Sequence, residues 1–118
     1  MARKVLIVDD AQVERLTLER IVAEAGCLVL TAESGQHAVD RARTDKPDLI
    51  LMDVNMPGMD GFAATRQLKS DAATRDIPVV FVTGKNQKAD MAWGKMLGAR
   101  GYVTKPYSRE QILEQIKV

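Results

Sequence analysis

The amino-acid sequence predicts an α/β domain in which helices cover both faces of a parallel sheet. Three observations support this prediction. Five short apolar runs are spaced along the 118 residues, a segment with helical periodicity follows each run, and the connections between them are only a few residues long. Alternation at this spacing indicates parallel strands joined by right-handed crossovers. We therefore expect one domain over residues 1–118, with no separate output domain.

The first half of the chain contains three of the predicted strands. Residues 5–8 form the first apolar run, and apolar residues then recur every three or four positions over 13–25, which predicts a helix. Residues 28–32 form the second strand. A short helix over 35–46 is predicted to end where a proline follows it. Residues 49–52 are apolar without interruption, which is typical of a strand buried on both faces.

The second half repeats the pattern. Residues 61–70 form a helix, 77–82 a buried strand and 101–104 a fifth strand, and a final helix begins after Ser108 with a capping box. Between the last two strands, 89–97 has the most regular helical stripe of the chain. That stripe consists of Ala89, Ala92, Trp93, Met96 and Leu97. Trp93 is either a core anchor of this helix or part of a partner-binding surface, and the core position is the favoured interpretation.

Composition excludes several classes of protein. Lys and Arg number 17 against 16 for Asp and Glu, a balance that argues against binding to nucleic acid. The sequence has no apolar stretch near the roughly 18 residues of a membrane span, and its start lacks the features of a secretory signal. A single cysteine, Cys27, excludes an internal disulfide. We therefore expect a cytoplasmic protein that does not insert into membranes.

Polar residues directly follow four of the five strands. They are Asp9, Asp10, Asp53, Thr83 and Lys105. Because the carboxyl ends of parallel strands meet at one edge of a sheet, we expect these side chains to converge there. Taken alone, Asp53 could simply cap a turn, since turn formers follow it. The combination of all five residues at successive strand ends predicts a functional site.

The residue types in this set favour phosphoryl chemistry. Three carboxylates in one place repel each other and need a cation, and Mg²⁺ suits oxygen ligands. A carboxylate such as Asp53 can accept a phosphoryl group as an aspartyl phosphate. Lys105 would then pair with the phosphoryl group, and the Thr83 hydroxyl would donate a hydrogen bond to it.

The motifs that carry this chemistry also resemble a known family. In order they are Asp9-Asp10, Asp53 with the Met-Pro-Gly-Met-Asp-Gly segment at 56–61, Thr83-Gly84 and Lys105-Pro106. This set resembles the CheY-like receiver domain of two-component response regulators along the whole chain. The resemblance implies a flavodoxin-like, doubly wound fold with strand order 2-1-3-4-5 and five helices on both faces of the sheet.

The resemblance also implies a role for each site residue. Asp53 corresponds to the phosphoacceptor, with a His-phosphorylated histidine kinase as donor, and Lys105 to the phosphoryl-binding lysine. Thr83 and Tyr102 correspond to the family's paired switch residues, and the Lys105–Pro106 peptide to its usual cis bond. The implied Mg²⁺ ligands are Asp9, Asp10, Asp53 and the backbone carbonyl of Asn55.

A finer resemblance is to the stand-alone receivers of type IV pilus twitching-motility systems. Residues 60–68, 83–94, 98–100 and 104–106 carry it. It implies a role in a chemotaxis-like phosphorelay that controls twitching motility.

These observations lead to one favoured hypothesis and two alternatives. The favoured one is a monomeric phosphorylation switch in which the fourth helix, fifth strand and last helix, including Trp93 and Tyr102, present an altered face to a separate target protein. Such a domain would catalyse only its own phosphorylation and dephosphorylation and would not be an enzyme in the ordinary sense. The alternatives are a phosphate sink for the kinase and a phosphorylation-independent interaction module.

Overall fold

A computed structural model describes residues 3–117, so the predicted domain bounds at residues 1 and 118 lie outside the described residues. The strands are β1 (Lys4–Val8), β2 (Leu28–Ala32), β3 (Leu49–Met52), β4 (Val79–Thr83) and β5 (Gly101–Thr104). The helices are α1 (Gln12–Glu24), α2 (Gly35–Asp45), α3 (Gly61–Ser70), α4 (Lys88–Met96) and α5 (Arg109–Ile116). Across this part of the chain, no helix combines the length and apolar character needed to cross a membrane.

The five strands are parallel and form one sheet in the order β2-β1-β3-β4-β5. This order confirms the predicted doubly wound fold. The element bounds also agree closely with the sequence pattern. The largest difference is at β4, which begins at Val79, whereas the apolar run begins at Ile77. Pro78 lacks an N–H to donate, and it contributes only its carbonyl, which accepts a hydrogen bond of 3.0 Å from the Ile50 N–H.

Alternate residues of each strand pack against helices on opposite faces of the sheet. In β1, Val5 and Ile7 belong to the core that contains residues of α1 and α5. Leu6 and Val8 belong to the second core, which contains residues of α2 and α3. All four side chains are buried, so each face contributes a separate apolar layer. Burial on both faces holds the sheet, and therefore its carboxyl edge, in a fixed shape.

The predicted core position of Trp93 is wrong. The Trp93 side chain is 40% exposed and that of Met96 is 78% exposed. Helix α4 instead turns Gly94 towards the sheet, where a Cβ atom would lie only 3.1 Å from ring atoms of Phe81 and Tyr102. The two rings fill the space beneath the helix, so α4 packs through its smallest residue and leaves its apolar stripe facing outward.

Candidate functional site

Strand register brings the predicted site residues to one edge of the sheet. Val8 pairs with Met52, so Asp9 and Asp53 follow neighbouring strands at the same level. The backbone confirms this alignment, since the Asp53 N–H donates to the Val8 carbonyl at 2.9 Å. On the other side, Lys105 follows β5 and its N–H donates to the carbonyl of Thr83 at 2.8 Å.

Three carboxylates lie together at this edge. One oxygen from each of Asp9, Asp10 and Asp53 lies within 4.8 Å of the others. Asp9 and Asp53 are buried, at 1% and 7% exposure, whereas Asp10 is exposed. The Oδ1 atom of Asp9 accepts a hydrogen bond from the Ala11 N–H at 2.9 Å, which orients the carboxylate at the start of the loop.

Lys105 reaches into this cluster from β5. Its Nζ atom lies 2.9 Å from Oδ2 of Asp9, 2.8 Å from Oε2 of Glu14 and 3.5 Å from Oδ2 of Asp53. Burial lowers the pKa of Lys105, but the hydrogen bonds to Glu14 and Asp9 and the charge of Asp53 outweigh it, so the pKa lies above its ordinary value. The ammonium therefore stays charged. The Lys105–Pro106 peptide is cis.

Burial and charge together shift the pKa of the Asp53 carboxyl. Burial raises its pKa above the ordinary value, and the charge of Lys105 opposes this increase without cancelling it. The Oδ1 atom accepts hydrogen bonds from the N–H groups of Val54, at 2.7 Å, and Asn55, at 3.4 Å. The Oδ2 atom faces Lys105 and the open side of the site.

The loop after β3 requires a glycine at Gly61, the first residue of α3. A Cβ atom there would lie 2.1 Å from the backbone oxygen of Asp53 and 2.8 Å from the Cα atom of Val54. Any side chain would push the helix away from the acid. The sequence marks Gly61 only as part of a turn, because the close approach of α3 to Asp53 is a tertiary contact.

The remaining predicted residues lie beside the carboxylates. Thr83 is fully buried, and its hydroxyl oxygen accepts a hydrogen bond of 3.3 Å from the Lys85 N–H. This hydroxyl is also close enough to Asp53 to lower the pKa of that acid. Asn55, predicted to offer its carbonyl to a metal, is exposed in the loop after β3.

Tyr102 connects the site to α4. Its ring lies 5.8 Å from that of Phe81, between centroids, and its hydroxyl donates to the Lys85 carbonyl at 2.7 Å. Lys85 belongs to the loop that joins β4 to α4, which begins next to Thr83. Trp93 lies farther away, on the outer side of α4, with the guanidinium of Arg66 stacked 5.9 Å from its ring centroid.

The cluster has the composition of a site for a hard cation. Asp9, Asp53 and Glu14 share the ammonium of Lys105, and Asp10 adds a fourth carboxylate to the cluster, so the negative charge of these acids exceeds the charge of this ammonium. One oxygen of each of Asp9, Asp10 and Asp53 lies within 4.8 Å of the other two, and carboxylate oxygens are the ligands that Mg²⁺ prefers. These three residues therefore fit Mg²⁺ by ligand type.

Glu14 is the contact that sequence reasoning missed. It lies in the first turn of α1, four residues after Asp10, and nothing in the local sequence indicates its partner. Lys105 is contributed by the opposite end of the chain, so the ion pair depends on tertiary packing that brings the start of α1 next to the residue that follows β5.

A family description and two characterised proteins match this chain over nearly its whole length. Residues 5–117 match the description "Response regulator receiver domain". Protein PilH of Pseudomonas aeruginosa is 51% identical over 116 residues, which cover 98% of this chain and 95% of that protein. Protein PilG of the same organism is 34% identical over 114 residues, which cover 97% of this chain and 84% of that protein.

Comparison with a solved structure agrees with the observed fold. The chemotaxis protein CheY4 of Vibrio cholerae superposes with a TM-score of 0.91 at 31% sequence identity. The superposition covers 98% of this chain and 97% of that one.

Proposed function

Since the chain belongs to the response regulator receiver family and has the CheY-like fold, we propose that Asp53 accepts the phosphoryl group that drives its signalling. The observation that carries this proposal is the position of Asp53. It is a buried carboxylate with Lys105 at 3.5 Å and two further acids beside it. The donor is a phosphohistidine of a histidine kinase. A carboxylate oxygen of Asp53 attacks phosphorus, a P–O bond forms, the P–N bond breaks and the imidazole leaves.

Other residues of the site support this step. Asp9, Asp10, Asp53 and the carbonyl of Asn55 would hold Mg²⁺, which neutralises charge on the phosphoryl oxygens when bound. Lys105 pairs with one phosphoryl oxygen through its ammonium. These groups would also position the water that later hydrolyses the phosphoaspartate, so the domain acts only on itself.

The output is a change of surface around α4, β5 and α5. Phosphorylation adds roughly −1.5 to −2 charges, which favour a hydrogen bond from the Thr83 hydroxyl to the phosphoryl group. Lys85 contacts both Thr83 and Tyr102, through its N–H and its carbonyl respectively. A movement of Thr83 would therefore reach Tyr102 through one residue and change the face that also carries Trp93.

The partners proposed for this monomeric, cytoplasmic domain are a histidine kinase and a separate target protein. The segments that resemble twitching-motility receivers, together with the 51% identity to protein PilH, favour a target in the control of type IV pili.

The direct test is the intact mass of the protein after incubation with acetyl phosphate, with and without Mg²⁺. We expect a phosphoryl adduct that requires Mg²⁺ and that the Asp53→Asn variant lacks. Asp40→Asn is the matched control, because Asp40 is exposed on α2 and, within residues 3–117, its carboxylate accepts a hydrogen bond only from the Gln36 side chain. An adduct that persists in Asp53→Asn would contradict the assignment of the acceptor.

The phosphorylated and unphosphorylated protein also distinguish the alternative functions. A phosphate sink would lose its phosphoryl group rapidly and bind candidate targets equally well before and after phosphorylation. A phosphorylation-independent module would form no adduct and still bind its target. The intact set of site residues favours the switch over both alternatives.

A further inference from the structure

Lys105 is held by a carboxylate that the proposed function does not use. Oε2 of Glu14, in the first turn of α1, lies 2.8 Å from Nζ of Lys105. The distance from Nζ to the proposed phosphoacceptor Asp53 is longer, at 3.5 Å. With Asp9 at 2.9 Å, the ammonium lies between Asp9 and Glu14, on the α1 side of the site.

Glu14 differs from the other partners of Lys105 in its exposure to solvent. Its side chain is 46% exposed, whereas those of Asp9 and Asp53 are buried. An ion pair at this exposure is weak, because water screens it and replaces it easily. The pair between Lys105 and Glu14 can therefore yield to another anion that approaches the ammonium.

We propose that Glu14 is a positioning residue that draws Lys105 towards α1, away from Asp53, and that competes with the phosphoryl group for this lysine. The inference rests on the proposed function of Asp53 and extends it to the regulation of the same site. In the unphosphorylated domain, Glu14 takes up part of the lysine charge, so that the ammonium stays at 3.5 Å from Asp53 and leaves this carboxylate more available to a cation. After phosphorylation, Lys105 must give up part of this ion pair to reach the phosphoryl oxygens.

Loss of the Glu14 charge should therefore move two affinities in opposite directions. Without Glu14, the ammonium moves closer to Asp53 and competes with Mg²⁺ for this carboxylate, so the affinity for Mg²⁺ falls. The same ammonium is then free to pair with a phosphoryl-like anion, so the affinity for beryllium fluoride at saturating Mg²⁺ rises. If Glu14 had a purely structural role, its substitution would weaken the binding of both Mg²⁺ and beryllium fluoride.

The experiment is calorimetric titration of the wild type and Glu14→Gln, first with Mg²⁺ and then with beryllium fluoride at saturating Mg²⁺. The control is Glu33→Gln, which removes an exposed carboxylate paired with Arg15 rather than with Lys105. We expect Glu14→Gln to bind Mg²⁺ roughly twofold to fivefold more weakly and beryllium fluoride more tightly by a similar factor. Glu33→Gln should change each affinity by less.

A second pair of variants tests whether the effect passes through Lys105. In a Lys105→Met background, Glu14→Gln should change the affinity for Mg²⁺ no more than Glu33→Gln does in the wild type. The inference is overturned if Glu14→Gln behaves like Glu33→Gln, if both affinities fall, or if the loss of Mg²⁺ affinity persists without Lys105. A wild type that binds neither Mg²⁺ nor beryllium fluoride would instead overturn the proposed function, and this inference with it.

Discussion

At the scale of single residues, Asp53 is a carboxylate placed where it reduces stability. A carboxylate in a buried position loses hydration, and one partly shared ammonium at 3.5 Å does not fully replace it. The pKa of Asp53 is raised for this reason. Catalytic and acceptor groups in other proteins show the same conflict between stability and function.

The raised pKa gives a prediction with a definite sign. Ionising Asp53 is harder in the folded than in the unfolded protein, so its charge lowers the free energy of unfolding as pH rises above the unfolded pKa of about 3.9. Without Mg²⁺, Asp53→Asn should therefore raise the stability at about pH 7 by about 1 kcal/mol. The gain should shrink as pH falls towards about 4, because the wild-type carboxyl then becomes neutral in both states.

Thermal unfolding of the wild type and Asp53→Asn, carried out with a chelator present at several pH values, measures this difference in stability. Lys105 keeps Asp9 and Glu14 as partners in the variant, so the substitution leaves no unpaired buried cation. The exposed control Asp40→Asn should show no gain of this kind. A destabilised Asp53→Asn variant at about pH 7, or a gain independent of pH, would contradict the argument.

At the scale of elements, α4 shows what a sequence pattern can and cannot predict. Its apolar residues recur with helical period, and the helix is where the pattern predicts it. The period does not say which face is buried, because an exposed apolar stripe and a core stripe look alike in sequence. Gly94 decides the outcome here, since it alone lets the helix approach Phe81 and Tyr102.

A prediction follows for Gly94→Ala. In an exposed helix this change would be stabilising by roughly 0.5–1 kcal/mol. Here the new methyl group would lie 3.1 Å from both rings, and Phe81 is fully buried while the Tyr102 hydroxyl is hydrogen-bonded to Lys85. We therefore expect a net loss of about 1 kcal/mol, measured by urea unfolding.

Removing one of the rings provides the control. In a Tyr102→Ala background, the methyl group gains room, so Gly94→Ala should cost less or become stabilising. An equal cost in both backgrounds would mean that the Tyr102 ring is not the obstacle.

At the scale of the whole molecule, the sequence predicts the sheet better than it predicts the contacts at the site. The apolar run that ends at Asp53 identifies β3 and its carboxyl edge, because burial on both faces leaves a strong local signal. The ion pair of Lys105 with Glu14 and the contact of Gly61 with Asp53 depend on how α1 and α3 pack. Packing of this kind has no local signature.

The acidic edge also predicts how the whole fold responds to a cation. Mg²⁺ that binds only the folded protein should stabilise it by about 2.7 kcal/mol at a concentration roughly 100 times its Kd. The rise in melting temperature should be reversed by a chelator and be largely lost in Asp10→Asn, which removes the exposed member of the cluster. If Mg²⁺ stabilised Asp10→Asn as much as the wild type, the cation would bind at another site.

The site is assembled from segments far apart in the chain, since Asp9 and Lys105 are separated by 96 positions and meet at 2.9 Å. During synthesis from the amino terminus, the acids of β1 and β3 emerge long before the lysine that follows β5. A nascent chain therefore has a negatively charged edge with no ammonium until its last strand docks. The full charge pattern of the site thus exists only after β5 has docked, and a chain that lacks β5 would hold its acids without the ammonium that pairs with them.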